Sequence, residues 1–266
     1  LYRAVREAVP VVDAAIYKLI RMAGGVTVRC SDSAAEAALA EFLRTVPVGR
    51  GQFGMNAFLD CYLDSMLTCG QAVGEIVPAL GNRDIAALLC GRVEDIEIKE
   101  GISPLDFTLC GPDECGRMTE LPCQELLLFT PLNPEANSPY GVSLLRSLPF
   151  LADVLMKIYH TIGVNWERCG NVRFAVTCRD GEGSAAQRGQ VLAQEWSRAM
   201  QETRSGDVRD LVAVGDVDIR VIGADAPVLD SQVPVRQVME QIVAKTGIPP
   251  FMLGLNWNST ERMSAQ

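Results

Sequence analysis

The sequence predicts an α+β protein, in which amphipathic helices and groups of short strands occupy separate stretches of the chain. Apolar residues recur at helical spacing in several long segments. Between these segments lie short runs rich in Val, Ile, Leu and Phe, bounded by Gly and Pro, which is typical of strands. Hydrophobic residues make up 48% of the 266 residues and charged residues 21%, so the chain can bury a substantial core.

The first part of the chain, residues 1–130, is predicted to be one mixed unit. We predict helices at 3–22, 33–46 and 53–69. Pro10 is expected to kink the first helix, Ser33 with Glu36 makes a capping box at the second, and Gly70 ends the third. We predict strands at 71–77, 93–98, 105–110 and 126–129.

The longest helical pattern follows a loop rich in Pro and Asn at 131–139. Its apolar stripe repeats with steps of four and three, at Leu144, Leu148, Leu151, Leu155, Ile158 and Ile162, and Trp166 continues it. Pro149 is expected to kink or restart the helix near its beginning. A long helix with one apolar stripe suits packing against neighbours, including other subunits. We therefore predict subunit contacts at Leu151, Leu155, Ile158 and Ile162.

The remaining chain is predicted to form a compact insert followed by a second helix. The insert comprises a strand at 172–178, a helix at 185–202 and a hairpin made of 211–214 and 217–222. The helix that follows is predicted at 233–246. Gly247 ends this helix, and Pro249 and Pro250 force the chain to turn.

The formal net charge of −9 and the pI of about 4.8 bear on nucleic-acid binding. A protein that grips DNA is usually basic, because Lys and Arg neutralise the phosphates. The acidic charge therefore argues against tight DNA binding. It is compatible with a conduit through which DNA slides, because such a channel should not hold phosphates firmly.

The nine cysteines are interpreted as reduced thiols in an intracellular compartment, because their number is odd and no pair has C-x-x-C spacing. Cys110, Cys115 and Cys123 form the only local cluster, and without ligand-pair spacing they are interpreted as small hydrophobic residues rather than a zinc site. No apolar run approaches the length of a membrane span. We therefore expect no metal, no cofactor and no membrane partner.

Motifs for enzymatic chemistry are missing from the sequence. It contains no G-x-x-x-x-G-K-[ST] phosphate loop, no G-x-S-x-G and no H-E-x-x-H, so we expect no catalytic residue. His160 is the single imidazole, and its place in the long helix favours a solvated or interface role over that of a catalytic base. The aspartates around 207–218 are interpreted as a solvated face.

Three short stretches, in this order, carry a resemblance to a known family. They are Gly70-Gln71-Ala72-Val73-Gly74-Glu75, then Tyr140-Gly141-Val142-Ser143-Leu144-Leu145, then Gly247-Ile248-Pro249-Pro250-Phe251-Met252-Leu253-Gly254 followed by Ser259. Together with the order of helices and strands, they resemble the bacteriophage portal proteins of the HK97-like group. Because the chain starts at Leu1, and its first Met is Met22, we expect a portal protein truncated at both ends.

The resemblance implies a portal-like α+β architecture with named parts. It implies an α/β wing domain at 1–141, a first stem helix at 142–168, a small α/β clip domain at 169–229, a second stem helix at 230–246, and a tunnel loop with the start of a further helix at 247–266. The predicted insert at 172–222 falls within the clip, and the two predicted long helices coincide with the stem.

The resemblance also implies function and partners. Portal subunits form a homo-oligomeric ring, usually of about twelve copies, at one capsid vertex. The ring conducts double-stranded DNA non-specifically during packaging and ejection, and it docks the terminase, the head–tail connector, and capsid and scaffold proteins. The expected locations are the virion and, during assembly, the cytoplasm of the bacterial host.

The tunnel loop supplies the expected DNA-channel residues, Asn256, Trp257, Asn258 and Ser259. Neutral amides and hydroxyls there would contact phosphates transiently and let DNA slide. The alternative is that the loop caps the stem and that Trp257 fills a hydrophobic gap. Two other functions stay open at this point: an intracellular hydrolase with an unfamiliar active site, and another kind of oligomeric scaffold module.

Overall fold

The fold is taken from a computed structural model, which describes residues 1–81, 84–103, 106–170, 173–178, 190, 193–194, 197–198, 217–222 and 231–255. The helices are α1 (Tyr2–Ala8), α2 (Pro10–Ala23), α3 (Ser33–Thr45), α4 (Met55–Cys69), α5 (Leu148–Gly170) and α6 (Gln232–Thr246). The strands are β1 (Pro47–Gly49), β2 (Gln52–Phe53), β3 (Gln71–Pro78), β4 (Ile85–Cys90), β5 (Glu97–Glu100), β6 (Phe107–Pro112), β7 (Met118–Glu120), β8 (Leu127–Pro131), β9 (Arg173–Cys178) and β10 (Val217–Ile222). This mixture of helices and small antiparallel sheets confirms the predicted α+β class.

The predicted helix at 3–22 is in fact two helices, because Pro10 restarts the helix instead of kinking it. Val9 lies between them in an extended conformation, with φ −123° and ψ 92°. Proline at the first position of a helix costs nothing, because its missing N–H would have no partner there. Both helices contact α4, and their Val5, Val12 and Ile16 side chains are buried.

The second predicted helix is confirmed, but its cap differs from the prediction. Asp32, not Ser33, is the N-cap, and its side chain accepts a hydrogen bond from the Ala34 amide at 2.9 Å. Aspartate at this position satisfies a free amide and also carries a negative charge toward the positive end of the helix dipole. The capping-box prediction was therefore wrong by one residue.

The central core forms where α4 packs on the sheet β4-β3-β8. Both neighbours of β3 run antiparallel to it. Phe58 and Tyr62 of α4 stack on each other with ring centroids 5.4 Å apart, and both side chains are buried. The Tyr62 hydroxyl lies 2.8 Å from Thr130 Oγ1, which anchors α4 to β8. The predicted strands at 71–77 and 126–129 are thus confirmed.

Strands β4 and β7 were not predicted from the sequence. Residues 85–90 read Ile-Ala-Ala-Leu-Leu-Cys, a composition that favours helix as much as strand, and pairing with β3 decides the outcome. Strand β7 is three exposed residues at the edge of a second sheet of order β5-β6-β7. The predicted strand at 93–98 begins later, because Val93–Asp95 forms a 3-10 turn.

The described chain divides into two compact units. One comprises Leu1–Met156 with Val233–Gln266, and the other comprises Lys157–Gln232. In the second unit, β9 and β10 pair antiparallel from Arg173 opposite Ile222 to Cys178 opposite Val217. The predicted partner segment at 211–214 lies outside the described residues. Within the predicted helix at 185–202, the described positions 190, 193–194, 197 and 198 are helical.

Candidate subunit-assembly surface on the long helix

The start of α5 is held by the end of α4 through backbone hydrogen bonds. The Leu132 amide donates to the Gly70 carbonyl at 2.7 Å, and the Val142 amide donates to the Leu132 carbonyl at 2.7 Å. The Leu144 amide donates to the Leu67 carbonyl at 3.2 Å. The chain that leads into α5 is therefore fixed to the last turn of α4 and to Leu132, the residue directly after β8.

Two glycines make this close approach sterically feasible. A Cβ atom on Gly141 would overlap the Gly70 carbonyl oxygen, and a Cβ atom on Gly70 would overlap the Ser143 amide. Gly70 also has a φ of +90°, a region that side chains disfavour. The structure thus brings together two of the three stretches on which the family resemblance rests, although they are far apart in sequence.

Ser143 completes the connection. Its hydroxyl donates to the Thr68 carbonyl at 2.6 Å and accepts from the Leu145 amide at 3.0 Å. Because Ser143 is buried, both hydrogen bonds satisfy groups that water cannot reach. A short turn then leads to α5, which begins at Leu148 and has Pro149 in its first turn. The helix therefore starts four residues later than the apolar stripe predicts, and Pro149 restarts it.

A partly buried arginine, Arg6, ties α1 and α2 to the same end of α4. Arg6 lies 2.6 Å from an Asp64 carboxylate oxygen and 2.7 Å from an Asp13 carboxylate oxygen, and it donates to Thr68 Oγ1 at 2.7 Å. Burial lowers the pKa of Arg6, but the hydrogen bonds to Asp64 and Asp13 outweigh burial and raise it above its usual value. The group lines a cavity of about 570 Å³, and because its charges are already paired we interpret it as structural.

One apolar seam runs along α5 with alternating steps of four and three. Its members are Leu148, Ala152, Leu155, Tyr159, Ile162 and Trp166. The first three are buried, and Leu155 is 1% exposed. The last three, which we call the exposed seam, are open or half-buried: Tyr159 is 46% exposed and Trp166 is 69% exposed. A repeat with average step 3.5 is the pattern of a helix that packs along a second helix.

The predicted subunit contacts fall on both parts of this helix. Leu155 is buried within the chain, so it belongs to the core of its own subunit, and Leu151 is half-buried beside it. Ile158 and Ile162 are half-buried in the second part. The prediction missed Tyr159, because tyrosine does not stand out as apolar in a stripe of leucines and isoleucines.

The third stretch of the resemblance also folds against the first unit. Pro250–Leu253 forms a 3-10 turn that packs on α2, and Ile248 is buried. The expected channel residues Asn256, Trp257, Asn258 and Ser259 lie outside the described residues. Their role as a tunnel loop stays a prediction.

The described residues hold no group of three or more His, Cys, Asp or Glu side chains that could bind a metal ion. Cys110 is buried, whereas Cys115 and Cys123 are exposed. His160 is exposed on α5. Among the helices that the structure describes, none combines the length and apolar character required to cross a bilayer.

The amino-acid sequence matches no family model and no curated protein. The fold, however, matches solved structures. A chain in a structure described as the virion of a native gene transfer agent particle aligns with a TM-score of 0.72 and 16% identity, over 97% of this chain and 71% of that one. A chain in the neck of a native gene transfer agent particle, computed with C12 symmetry, aligns with a TM-score of 0.62 and 16% identity, over 84% and 62%.

An HK97-family phage portal protein from Corynebacterium diphtheriae aligns more weakly, with a TM-score of 0.46 and 11% identity, over 84% of this chain and 70% of that one. The two stronger similarities show that this chain shares its fold with chains of virion and neck assemblies.

Proposed function

We propose that this chain is a portal-type subunit that assembles into a ring at a capsid vertex. The observation that carries the proposal is the shared fold, which extends over 97% of the chain, with a chain in a virion particle. The C12 symmetry of the neck that contains a second similar chain supports a ring of identical subunits. The exposed seam on α5 supplies an apolar surface that such a ring would cover.

The portal architecture assigns a role to each part of the chain. Residues 1–141 would be the wing, 142–168 and 230–246 the two stem helices, 169–229 the clip, and 247–266 the tunnel loop with the start of a further helix. Two observations support this division. Helix α5 runs into the second compact unit, which begins at Lys157, and α6 begins where that unit ends; the unit also contains the paired strands β9 and β10.

The role of the ring would be structural and conductive. DNA would pass through its lumen during packaging and ejection. The ring would dock the terminase and, later, the head–tail connector. The net charge of −9 supports weak contact with DNA, because few phosphates would be neutralised and few counterions released. The tunnel-loop residues Asn256, Trp257, Asn258 and Ser259 would line the channel.

The seam can be tested by assembly of the full-length protein. We expect Trp166→Glu to prevent ring formation, because it places a charge in a surface that the neighbouring subunit would bury. Thr161→Glu is the matched control: it adds the same charge to α5 on the opposite side, about 140° away from Trp166 around the helix at 100° per residue. Negative-stain electron microscopy and mass in solution provide the measurement. Rings formed by Trp166→Glu as readily as by Thr161→Glu would remove the seam from the interface.

The channel role can be tested separately in a packaging assay. The double variant Asn256→Lys with Asn258→Lys should slow DNA packaging, because added lysines would bind phosphates and retard sliding. Ring assembly should be unchanged, since the substitutions lie outside the seam. The variant Asn256→Gln with Asn258→Gln keeps the amides and controls for side-chain size. Packaging at the normal rate by the lysine variant would leave the loop only its alternative role of capping the stem.

A further inference from the structure

Two cysteines from different elements meet on the outer side of the central core. Cys61 lies on α4 and Cys90 is the last residue of β4, and these two elements pack together. The Cys90 thiol lies 3.6 Å from the Phe58 carbonyl oxygen in the same helix. Side chains on a helix lean toward its N-terminus, so the Cys61 side chain lies over the turn that contains Phe58. The Cys90 thiol therefore lies beside the turn of α4 that carries Cys61, close enough for the two thiols to affect each other.

The surroundings of the two sulfurs are unequal. Cys61 is exposed to solvent, whereas Cys90 is half-buried against the core cluster that contains Phe58 and Tyr62. Both thiols are free. A reagent from solution therefore reaches Cys61 more readily than Cys90, which is less accessible.

The unequal surroundings also give the two thiols different pKa values. A hydrogen bond from Cys90 lowers the pKa of Cys61 to about 7, and this exceeds the opposing effects of burial and of the Asp64 carboxylate; Arg3 lowers the pKa further. For Cys90 the hydrogen bond to Cys61 and burial raise the pKa. Near neutral pH, Cys61 is therefore the more ionised of the two thiols, and Cys90 is the protonated donor.

We propose that Cys61 and Cys90 form a redox-active dithiol site that reacts with small disulfides such as oxidised glutathione. The Cys61 thiolate attacks one sulfur of the disulfide, forms a mixed disulfide and releases the first glutathione as a thiolate. Capping Cys61 removes the negative charge that opposes ionisation of Cys90. Cys90 then gives its proton to solvent, attacks the Cys61 sulfur and releases the second glutathione. The dithiol is oxidised by two electrons, and the glutathione disulfide is reduced to two thiols.

The product would tie α4 covalently to the edge strand β4. The bond would close a loop that contains β3, the central strand of the sheet, and so restrict the unfolded chain. Neither cysteine lies on α5, where the proposed assembly seam is. Its failure would leave the proposed function unaffected.

The first experiment uses the unmodified chain. At pH 7, a thiol with a pKa of about 7 is half ionised, against roughly 1% at the ordinary value of 9.0; after the accompanying loss of nucleophilicity, alkylation of Cys61 should be about sixfold faster than that of a cysteine in an unstructured peptide. Iodoacetamide labelling followed by peptide mass spectrometry reports each cysteine separately. Labelling of Cys61 at or below the rate of the peptide would overturn the proposal.

The second experiment identifies the bond. After exposure to oxidised glutathione, peptide mapping should find a crosslink between the peptides that contain Cys61 and Cys90. In Cys90→Ser, Cys61 should instead retain glutathione, because no second thiol displaces it. Cys61→Ser should form neither product, and Cys123→Ser, which removes an exposed cysteine elsewhere, should behave like the unmodified chain. A stable glutathione adduct on Cys61 of the unmodified chain, without the crosslink, would show that Cys90 does not take part.

Discussion

Two parts of helix α5 follow the same apolar repeat but lie in different surroundings. From Leu148 to Leu155 the seam is buried inside its own chain. From Tyr159 to Trp166 the same repeat continues in the second unit with its side chains open or half-buried. A stripe of apolar residues therefore shows that a helix has an apolar face, and it does not show whether the covering surface belongs to the same chain or to another.

The two parts of α5 are expected to affect different properties. The buried part should affect the stability of the subunit, and the exposed part should affect its assembly. In the first part, removal of apolar atoms leaves a cavity and lowers the free energy of unfolding. In the second part, the same removal takes away surface that is already in contact with water, so the isolated subunit should be insensitive to it. Effects there should emerge only when subunits associate.

One of the two largest expected effects lies at the connection that positions α5. Gly141→Ala should lower the free energy of unfolding by about 3 kcal/mol, because the new methyl group would overlap the Gly70 carbonyl and both backbones are hydrogen-bonded in place. Urea denaturation followed by circular dichroism provides the measurement. Gly163→Ala is the control, because no atom lies near its Cβ position and it should stabilise α5 by about 1 kcal/mol. Equal behaviour of the two variants would contradict the close approach.

The next effect contrasts the two parts of the seam directly. Leu155→Ala should lower the free energy of unfolding by about 3 kcal/mol, because a fully buried side chain is replaced by a cavity. Tyr159→Ala, one turn further along the same seam, should change it by less than about 0.5 kcal/mol. Thermal unfolding of both variants as isolated chains tests the difference. A large loss for Tyr159→Ala would show that the exposed seam is covered within the chain.

A smaller loss of stability is expected from removal of the Ser143 hydroxyl in the same connection. Ser143→Ala should lower the free energy of unfolding by about 1.5 kcal/mol, because the buried Thr68 carbonyl and the Leu145 amide each lose a partner. Ser143→Thr, which retains a hydroxyl, serves as a comparison for the hydrogen bonds. Hydrogen exchange of the Leu145 amide should accelerate in Ser143→Ala. Unchanged exchange at Leu145 would exclude the serine hydroxyl as its protecting acceptor.

Helices were easier to predict than strands because their signals are local. The period of apolar residues, together with Gly70 and Gly247 as stop residues, located α4 and α6 to within two residues. Strand β4 was missed, because its alanines and leucines favour helix as much as strand, and its pairing with β3 is a contact between distant parts of the chain. The break at Val9 depends on how Pro10 is accommodated, and the sequence allows both a kink and a restart.

Within the candidate site, the sequence identified the long helix and its apolar character but not which residues face outward. The contrast between Leu155 and Tyr159 follows from where the first unit ends along α5, and no local pattern encodes that limit. The proximity of Cys61 and Cys90 likewise could not be predicted, because it depends on strand β4, which the sequence did not reveal.

The sequence by itself determined the α+β class, the order of most helices and strands, and the three stretches that resemble portal proteins, because periodicity and turn residues act over a few neighbouring positions. Only the tertiary structure decided that Gly70 and Gly141 touch and that α5 changes from buried to exposed along a single seam. Those properties arise from contacts between residues far apart in the chain, and such contacts exist only once the backbone has folded.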